Sequence, residues 1–202
     1  MHGLTAEPIP ELAYHSDAAG QLELRAGAEL VPFQAIQGFR DYSLEEHGVA
    51  YGGFAAGLLG VTGRLWLGIG ASFAGLRGDW DGVSPHGPMG GWLLHVPLLV
   101  ELGFPVGTEG SRAIGGLELG GMFAKLTNVY QGHLTNPTVN LRGRFLGLRG
   151  GYVLPIGEDL GLGALLGVRA GTFDQTNSGD PVENQGLPYL SIAVQLGLYF
   201  QP

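Results

Sequence analysis

The chain of 202 residues contains no cysteine, which excludes disulfides, thiolate metal sites and cysteine nucleophiles. Charged residues make up only 14% of it, against about 25% in an average globular protein, and Lys125 is its one lysine. The formal net charge is −8. Without clustered cations to meet phosphates, we expect no nucleic-acid partner. No run of about 20 apolar residues is present, which argues against a transmembrane helix.

Glycine is abundant instead, with 38 residues, and hydrophobic residues make up 45% of the chain. Apolar residues alternate with polar or small ones, which is the period of a β-strand. The alternation is clean over residues 21–33, 92–106, 160–172 and 189–200, and less clean over 46–60, 65–77, 112–126 and 140–154. Many of these eight segments are about 13 residues long, whereas an ordinary strand has about 5–6 residues and a tilted membrane strand needs about 9–11.

Two segments depart from the pattern. Residues 46–60 show no clear separation into an apolar and a polar face. In 140–154, Arg142 and Arg144 fall on the face that carries apolar residues from Leu146 onward. We expect a β-bulge or a solvent-exposed extension of the strand at these arginines.

The connections between the segments alternate strictly in length. Long polar connections span 34–45, 78–90, 127–139 and 174–187, and short ones built on Gly, Thr, Pro and Asp span 61–64, 107–111 and 155–159. Long external loops and tight periplasmic turns are typical of outer-membrane barrels. The sequence therefore predicts an all-β fold, an eight-stranded antiparallel up-and-down transmembrane β-barrel, over residues 21–202. Residues 1–20 are predicted to be a periplasmic tail or plug.

The last strand is the most regular one, and it ends on Gly197, Tyr199 and Phe200, with Gln201 and Pro202 following. This ending resembles the C-terminal assembly signal of the small eight-stranded outer-membrane barrels, of the outer-membrane protein X and outer-membrane protein A barrel-domain type. The resemblance covers about residues 21–200 and implies location in the bacterial outer membrane. Because Met1 to Leu4 include neither a basic nor an apolar segment, we expect a signal peptide to be absent from this chain.

The face opposite the apolar one carries a polar set that we predict to line the interior as a network. Its members are Glu23, Arg25, Glu29, His95, Glu101, Glu118, Arg149, Arg169 and Gln195. One interpretation is an ion path or a catalytic carboxylate pair. The favoured interpretation is a charged plug, because side chains fill the interior of an eight-stranded barrel and buried charges need partners.

Aromatic residues near the predicted strand ends suggest interfacial girdles. They are Trp66, Trp92, Phe104, Tyr152, Tyr199 and Phe200. The alternative is the aromatic core of a soluble β-sandwich, which the length of the strands disfavours.

No segment supplies a complete catalytic or metal-binding motif. Gly70 to Ala74 lacks the last glycine of a nucleophile elbow and its strand–helix context, so we assign no nucleophile to Ser72. Residues 161–165 lack the third glycine of a dinucleotide fingerprint. Asp79, Asp81 and His86 lack the further ligands of a calcium loop, and no partner motif accompanies His133 and Thr135. We predict no catalytic residue, no metal and no cofactor.

Acidic residues dominate the predicted loops, and Arg40 is their one clear basic partner. The acids are Asp41, Glu45, Glu46, Asp79, Asp81, Asp174, Asp180 and Glu183. We expect outer-membrane lipid and lipopolysaccharide as partners, with divalent cations bridging acids to lipopolysaccharide rather than direct phosphate binding. Other envelope proteins are further candidate partners.

The favoured function is a structural or interaction role: a barrel that anchors in the outer membrane and presents loops or docks to envelope partners. The first alternative is a narrow channel or conduit for small hydrophobic molecules, with residues 46–60 as the candidate lateral opening. The second is a lipid-modifying enzyme, which requires a His–Ser–carboxylate cluster near one rim. The last is a soluble β-barrel or sandwich with an apolar ligand cavity.

Overall fold

The computed structural model describes residues 19–36, 49–78, 89–107, 111–127, 138–175 and 186–202. Within these ranges eight strands close into one barrel, in which each strand is antiparallel to its chain neighbours and β8 pairs with β1. They are β1 (Leu22–Ile36), β2 (Val49–Gly60), β3 (Leu65–Gly78), β4 (Met89–Pro105), β5 (Arg112–Thr127), β6 (Thr138–Pro155), β7 (Leu160–Gln175) and β8 (Leu187–Phe200). The prediction of an eight-stranded up-and-down barrel is confirmed. The described part contains no helix long and apolar enough to cross a membrane.

The strands form because the period of two sends successive side chains to opposite sides of the barrel wall. On β5 and β6 the apolar side chains point outward, so that Leu119 is 58% exposed and Leu148 is 64% exposed. Between Leu117 and Leu119, Glu118 points inward and is 1% exposed. The barrel is thus apolar outside and charged inside, the reverse of a soluble protein.

The described short connections all lie at one end of the barrel, which we call the turn end. It holds residues 61–64, the flanks of the β4–β5 connection and residues 156–159. The opposite end, where the strands meet the predicted long loops, is called the loop end. The residues between strands at the loop end, and residues 1–18, lie outside the described part, so the plug or tail stays a prediction.

A β-bulge occurs in β1 rather than in β6. The β1–β8 register shifts between Leu30 and Phe33, where Pro32 lies. Proline cannot donate to a ladder and is tolerated at a bulge. As a result both Val31 and Gln34 are buried in the interior.

The predicted bulge at Arg142 and Arg144 is wrong. β6 pairs with β5 and with β7 without any register shift. Both arginines are exposed on the exterior near the loop end, which matches the alternative expectation of an exposed extension.

β2 is a regular strand although its sequence shows no clear pattern. It pairs with β1 over Val31 to Leu22 and with β3 along its whole length. Its buried positions include Ala50, Phe54 and Leu58. The period is hidden in the sequence because Gly and Ala occupy both faces.

The interior is filled in layers. At the loop end the filling is apolar, with Leu76, Leu93, Leu126, Leu141, Phe173 and Leu187 in one buried cluster. Charged side chains occupy the middle. Two smaller apolar clusters, one around Trp66 and one around Tyr199, reach toward the turn end.

Two of the predicted girdle aromatics are interior residues. Trp66 is 4% exposed and Tyr199 is 2% exposed, so their assignment to an interfacial girdle is wrong. Both sit at inward positions of their strands, where they stack against arginines. The other four, Trp92, Phe104, Tyr152 and Phe200, lie on the exterior face as expected.

Candidate functional site

Four arginines and four glutamates form one continuous chain of ion pairs inside the barrel. Its order is Arg112, Glu23, Arg25, Glu101, Arg149, Glu118, Arg169 and Glu29. No member is more than 7% exposed. Because the two signs are equal in number, the interior is electrically balanced, as buried charges require.

The half of the chain nearer the turn end is centred on Arg25. Its Nη1 and Nη2 atoms donate to the two carboxylate oxygens of Glu101, at 2.9 and 2.6 Å, and its Nε donates to Glu23 at 2.6 Å. Such a bidentate pair fixes the guanidinium plane. That plane lies 4.7 Å from the centre of the Tyr199 ring. Each of the three guanidinium nitrogens of Arg25 therefore donates to a carboxylate within the protein.

The other half is centred on Arg169 of β7. Its Nε donates to Glu118 at 2.7 Å, and Nη1 and Nη2 donate to the two oxygens of Glu29 at 3.1 Å each. The amide of Gln195 donates to the same Glu29 carboxylate. Arg149 joins the two halves, since it contacts Glu118 at 3.0 Å and Glu101 at 2.9 Å.

The turn end is closed by residues that sequence reasoning did not single out. Arg112 pairs with Glu23 and lies 5.2 Å from the centre of the Trp66 ring. Gln201 donates from its side chain to Glu23 at 2.5 Å and from its backbone to Asp159 at 2.9 Å. Arg112 shares the inward parity of Glu118 on β5, and this parity was the signal that could have identified it.

His95, the remaining member of the predicted network, lies outside the ion-pair chain. Its Nδ1 is 3.4 Å from Ser72 Oγ and its Nε2 is 3.1 Å from the Tyr189 hydroxyl. The Phe145 ring packs edge-on at 5.0 Å. A hydrolase triad places a carboxylate on the second ring nitrogen, and here a tyrosine hydroxyl occupies that place.

The ladder between β3 and β4 is interrupted within the barrel wall. The ladder passes from the pair Ile69–Leu98 to the pair Ser72–His95 without a register shift, and the two pairs between them are missing. Pro97 lies in this gap, where it has no N–H to donate.

A cavity of about the size of one water molecule lies at the gap. Its lining includes Ala55 and Ala71 from the outward face, and Ser72, Glu118 and Arg169 from the interior. Small side chains on both faces leave this part of the wall thin. The ladders that β2 forms with β1 and β3 have no missing pairs, so within the described residues the interruption of the wall lies between β3 and β4 rather than at β2.

The residues of the predicted assembly signal close the barrel. Phe200 pairs with Leu24 of β1 and with Leu160 of β7, and its side chain is exterior. At Gly197, an added Cβ would lie 2.8 Å from the tip of the Phe54 ring and 2.6 Å from the backbone of Ala26. Glycine is needed there because the ring and the neighbouring strand occupy the space of a side chain. A role in assembly stays a prediction.

The exterior carries a continuous apolar surface that runs around the barrel. Exposed large apolar side chains occur on every strand, among them Leu24, Tyr51, Ile69, Leu98, Leu119, Leu146, Leu166 and Leu196. A soluble monomer rarely exposes apolar patches beyond a few hundred Å². An exterior of this kind is suited to the hydrocarbon of a membrane.

Several predicted sites fall outside the described residues. These are Asp79, Asp81, His86, His133, Thr135, Arg40 and all the loop acids except Asp174, which is exposed at the end of β7. In the described ranges no group of three or more His, Asp or Glu side chains could hold a metal ion.

Comparison with solved structures identifies the fold. No protein-family model and no curated protein matches the chain. The outer membrane protein OprG from Pseudomonas aeruginosa aligns over 91% of this chain and 96% of its own, with a TM-score of 0.59 and 12% identity. Neisserial surface protein A aligns over 91% and 98%, with a TM-score of 0.58 and 11% identity.

Outer membrane protein AlkL, determined in lipid bilayers, covers 100% of this chain and 97% of its own, with a TM-score of 0.55 and 12% identity. The fold is thus that of the small eight-stranded outer-membrane β-barrels. The resemblance stated from the sequence is confirmed at the level of the fold.

Proposed function

We propose that this protein is a closed barrel of the bacterial outer membrane, with a structural or interaction role carried out by its exterior and its ends. The observation that carries the proposal is the balanced ion-pair chain across the interior. It joins β1, β4, β5, β6 and β7, so it braces the wall from several sides. The function is then carried out by the lipid-facing exterior, the loops and the surfaces that contact partners.

The location is supported by the exterior and by the fold. Apolar side chains cover the wall, and a closed ladder leaves no strand edge to be satisfied by water. The structures that share the fold include proteins described as outer membrane proteins.

A water-filled pore is disfavoured by how the interior charges are held. Glu101, Glu118 and Glu29 each accept hydrogen bonds from arginines of other strands. An ion that entered would have to separate such pairs, and breaking a buried pair costs about 3–5 kcal/mol. The apolar cluster at the loop end adds a second closed layer.

A conduit for small hydrophobic molecules is the second candidate function. The missing pairs at Pro97, the small residues around them and the cavity between wall and interior support it. In this case an apolar molecule would leave the interior sideways into the membrane, between β3 and β4.

Purified barrel in planar lipid bilayers separates these functions. We expect no stepwise ion conductance from the unmodified protein. As a positive control, the double variant Arg25→Ala with Glu101→Ala removes a charge-balanced pair from the lumen and is expected to conduct. Steady conductance of the unmodified barrel that changes in the Glu101→Gln variant would refute the closed interior.

The same preparation tests the conduit. Vesicles that contain the barrel are given an apolar fluorescent probe, and entry of the probe is compared with that in empty vesicles. A closed structural barrel gives equal rates, whereas accelerated entry without ion conductance favours the second candidate.

A further inference from the structure

A basic patch, defined by Lys125, Arg142 and Arg144, lies on the exterior of the barrel near the loop end. All three side chains are exposed. Phe123 pairs with Arg142, and Asn140 pairs with Lys125, so Lys125 is the diagonal neighbour of Arg142 across the ladder. Diagonal positions, and positions two apart on a strand, are about 7–8 Å apart. Three cations thus lie within reach of one anionic group.

The patch is on one side of the barrel. Toward the loop end of the other described strands, the exterior positions carry mainly apolar and aromatic side chains, including Val49, Tyr51, Phe73, Trp92 and Leu190. Asp174 pairs in register with Arg142, and Thr172 pairs with Arg144. Among the described residues no ion pair shorter than 4 Å is formed by the three cations, although the whole chain carries a net charge of −8.

Immediately below the patch the wall is apolar. Phe123 is 38% exposed between the cations, and Leu146 is 57% exposed one step toward the middle of the barrel. A ligand that touches both regions must have an apolar part along the strands and an anionic part near the loops. This is the chemistry of an anionic lipid whose head group lies at the membrane surface.

We propose that the basic patch binds the phosphate of a phosphorylated glycolipid of the outer leaflet, with the acyl chains of that lipid along Phe123 and Leu146. The inference rests on the proposed location of the barrel, since the loop end then faces outward. Arginine is suited to this role because its planar fork donates two parallel hydrogen bonds to a phosphate. The assignment departs from the sequence-based expectation that phosphate would be reached only through bridging cations.

Lipid nanodiscs provide the test. The barrel is reconstituted with lipid A that carries phosphates or with its dephosphorylated form, and bound glycolipid is counted by native mass spectrometry. The test variant changes Lys125, Arg142 and Arg144 to Gln. The control variant is Arg64→Gln, which removes one exposed arginine at the turn end.

We expect the unmodified barrel and the control to retain phosphorylated lipid A, and the triple variant to bind it at least about tenfold more weakly, because the variant loses all three cations that attract the anionic head group. Dephosphorylated lipid A should bind all three proteins alike. Equal retention by the triple variant and the unmodified barrel overturns the proposal. So does full competition by inorganic phosphate alone, which identifies a site for the free anion.

These experiments distinguish failure of the lipid-site proposal from failure of the proposed function. A chain that remains soluble and does not enter nanodiscs contradicts the membrane location, and with it the lipid site. A chain that enters nanodiscs and conducts ions contradicts the closed interior only. Entry with glycolipid binding that ignores phosphate contradicts the basic patch only. All three substitutions are at exposed positions, so the triple variant should still fold. The change in gel mobility on boiling checks this separately.

Discussion

Arg169 is the residue whose removal should test the ion-pair chain most directly. It is 2% exposed and donates three hydrogen bonds, one to Glu118 and two to Glu29. In Arg169→Met, Glu29 keeps only the amide of Gln195, and Glu118 keeps only Arg149, among the partners described above. Removing one partner of a buried ion pair costs about 3–5 kcal/mol, since the remaining charge is left uncompensated.

The assay is urea unfolding in detergent micelles, followed by the gel shift between folded and unfolded forms. We expect Arg169→Met to lower the free energy of unfolding by about 3–5 kcal/mol. The double variant Arg169→Met with Glu29→Gln removes one charge of each sign, so it should recover part of this loss. Arg64→Met, at an exposed position in a turn, serves as a control that should leave the unfolding midpoint unchanged.

Two outcomes would refute the reasoning. If Arg169→Met unfolds at the same urea concentration as Arg64→Met, the interior charges are not desolvated as the burial implies. If the double variant is no more stable than the single one, the loss comes from packing of the arginine stem rather than from an unpaired carboxylate.

Two further substitutions test the wall and its packing. Gly163→Ala should destabilise the barrel, because its Cβ would overlap the Tyr199 ring, whereas in Gly167→Ala the nearest atom is 3.7 Å away and the unfolding midpoint should barely move; equal midpoints for the two variants would contradict this. Pro97→Val restores an N–H in the gap between β3 and β4, so hydrogen exchange of the neighbouring amides should slow, and any vesicle entry of an apolar probe should decrease. Unchanged exchange in this variant would show that proline is not the cause of the missing pairs.

The strands were predictable from the sequence because each long strand has one face in lipid and one in the interior. The structure reproduces the alternation seen in the sequence of β4. Leu94, Val96 and Leu98 are partly or fully exposed on the exterior, whereas His95 and Pro97 are buried. The same parity would also have placed Trp66 and Tyr199 correctly. Position near a strand end suggested a girdle for them, but parity decides on which side of the wall a side chain lies.

The site was only partly predictable. Seven of the predicted polar residues meet in the ion-pair chain, because any charge on the inward face of a narrow barrel must find a partner across it. Which arginine meets which glutamate depends on the stagger between strands, and the sequence does not contain this stagger. Gln201 is a clear case, since it reaches Glu23 only because β8 closes on β1.

The irregular features of the wall were hidden for a different reason. Pro32 and Pro97 both interrupt ladders, yet one produces a bulge and the other a gap without a register shift. Proline removes one donor in either case. Whether the strand then gains a residue depends on the packing of both faces, which no single strand specifies.

The distribution of charge explains how a plugged interior and an acidic protein occur together. The interior chain uses four of the ten basic residues and four of the eighteen acidic ones, so six bases and fourteen acids remain, and 6 − 14 = −8. The whole net charge therefore lies outside this network, on the exterior, the connections and the N-terminal residues. Interior pairs away from water are little affected by salt, whereas exposed charges are screened over about 8–10 Å. Any partner that recognises this barrel by charge must therefore contact charges outside the ion-pair chain, and its binding should depend on salt while the stability of the barrel does not.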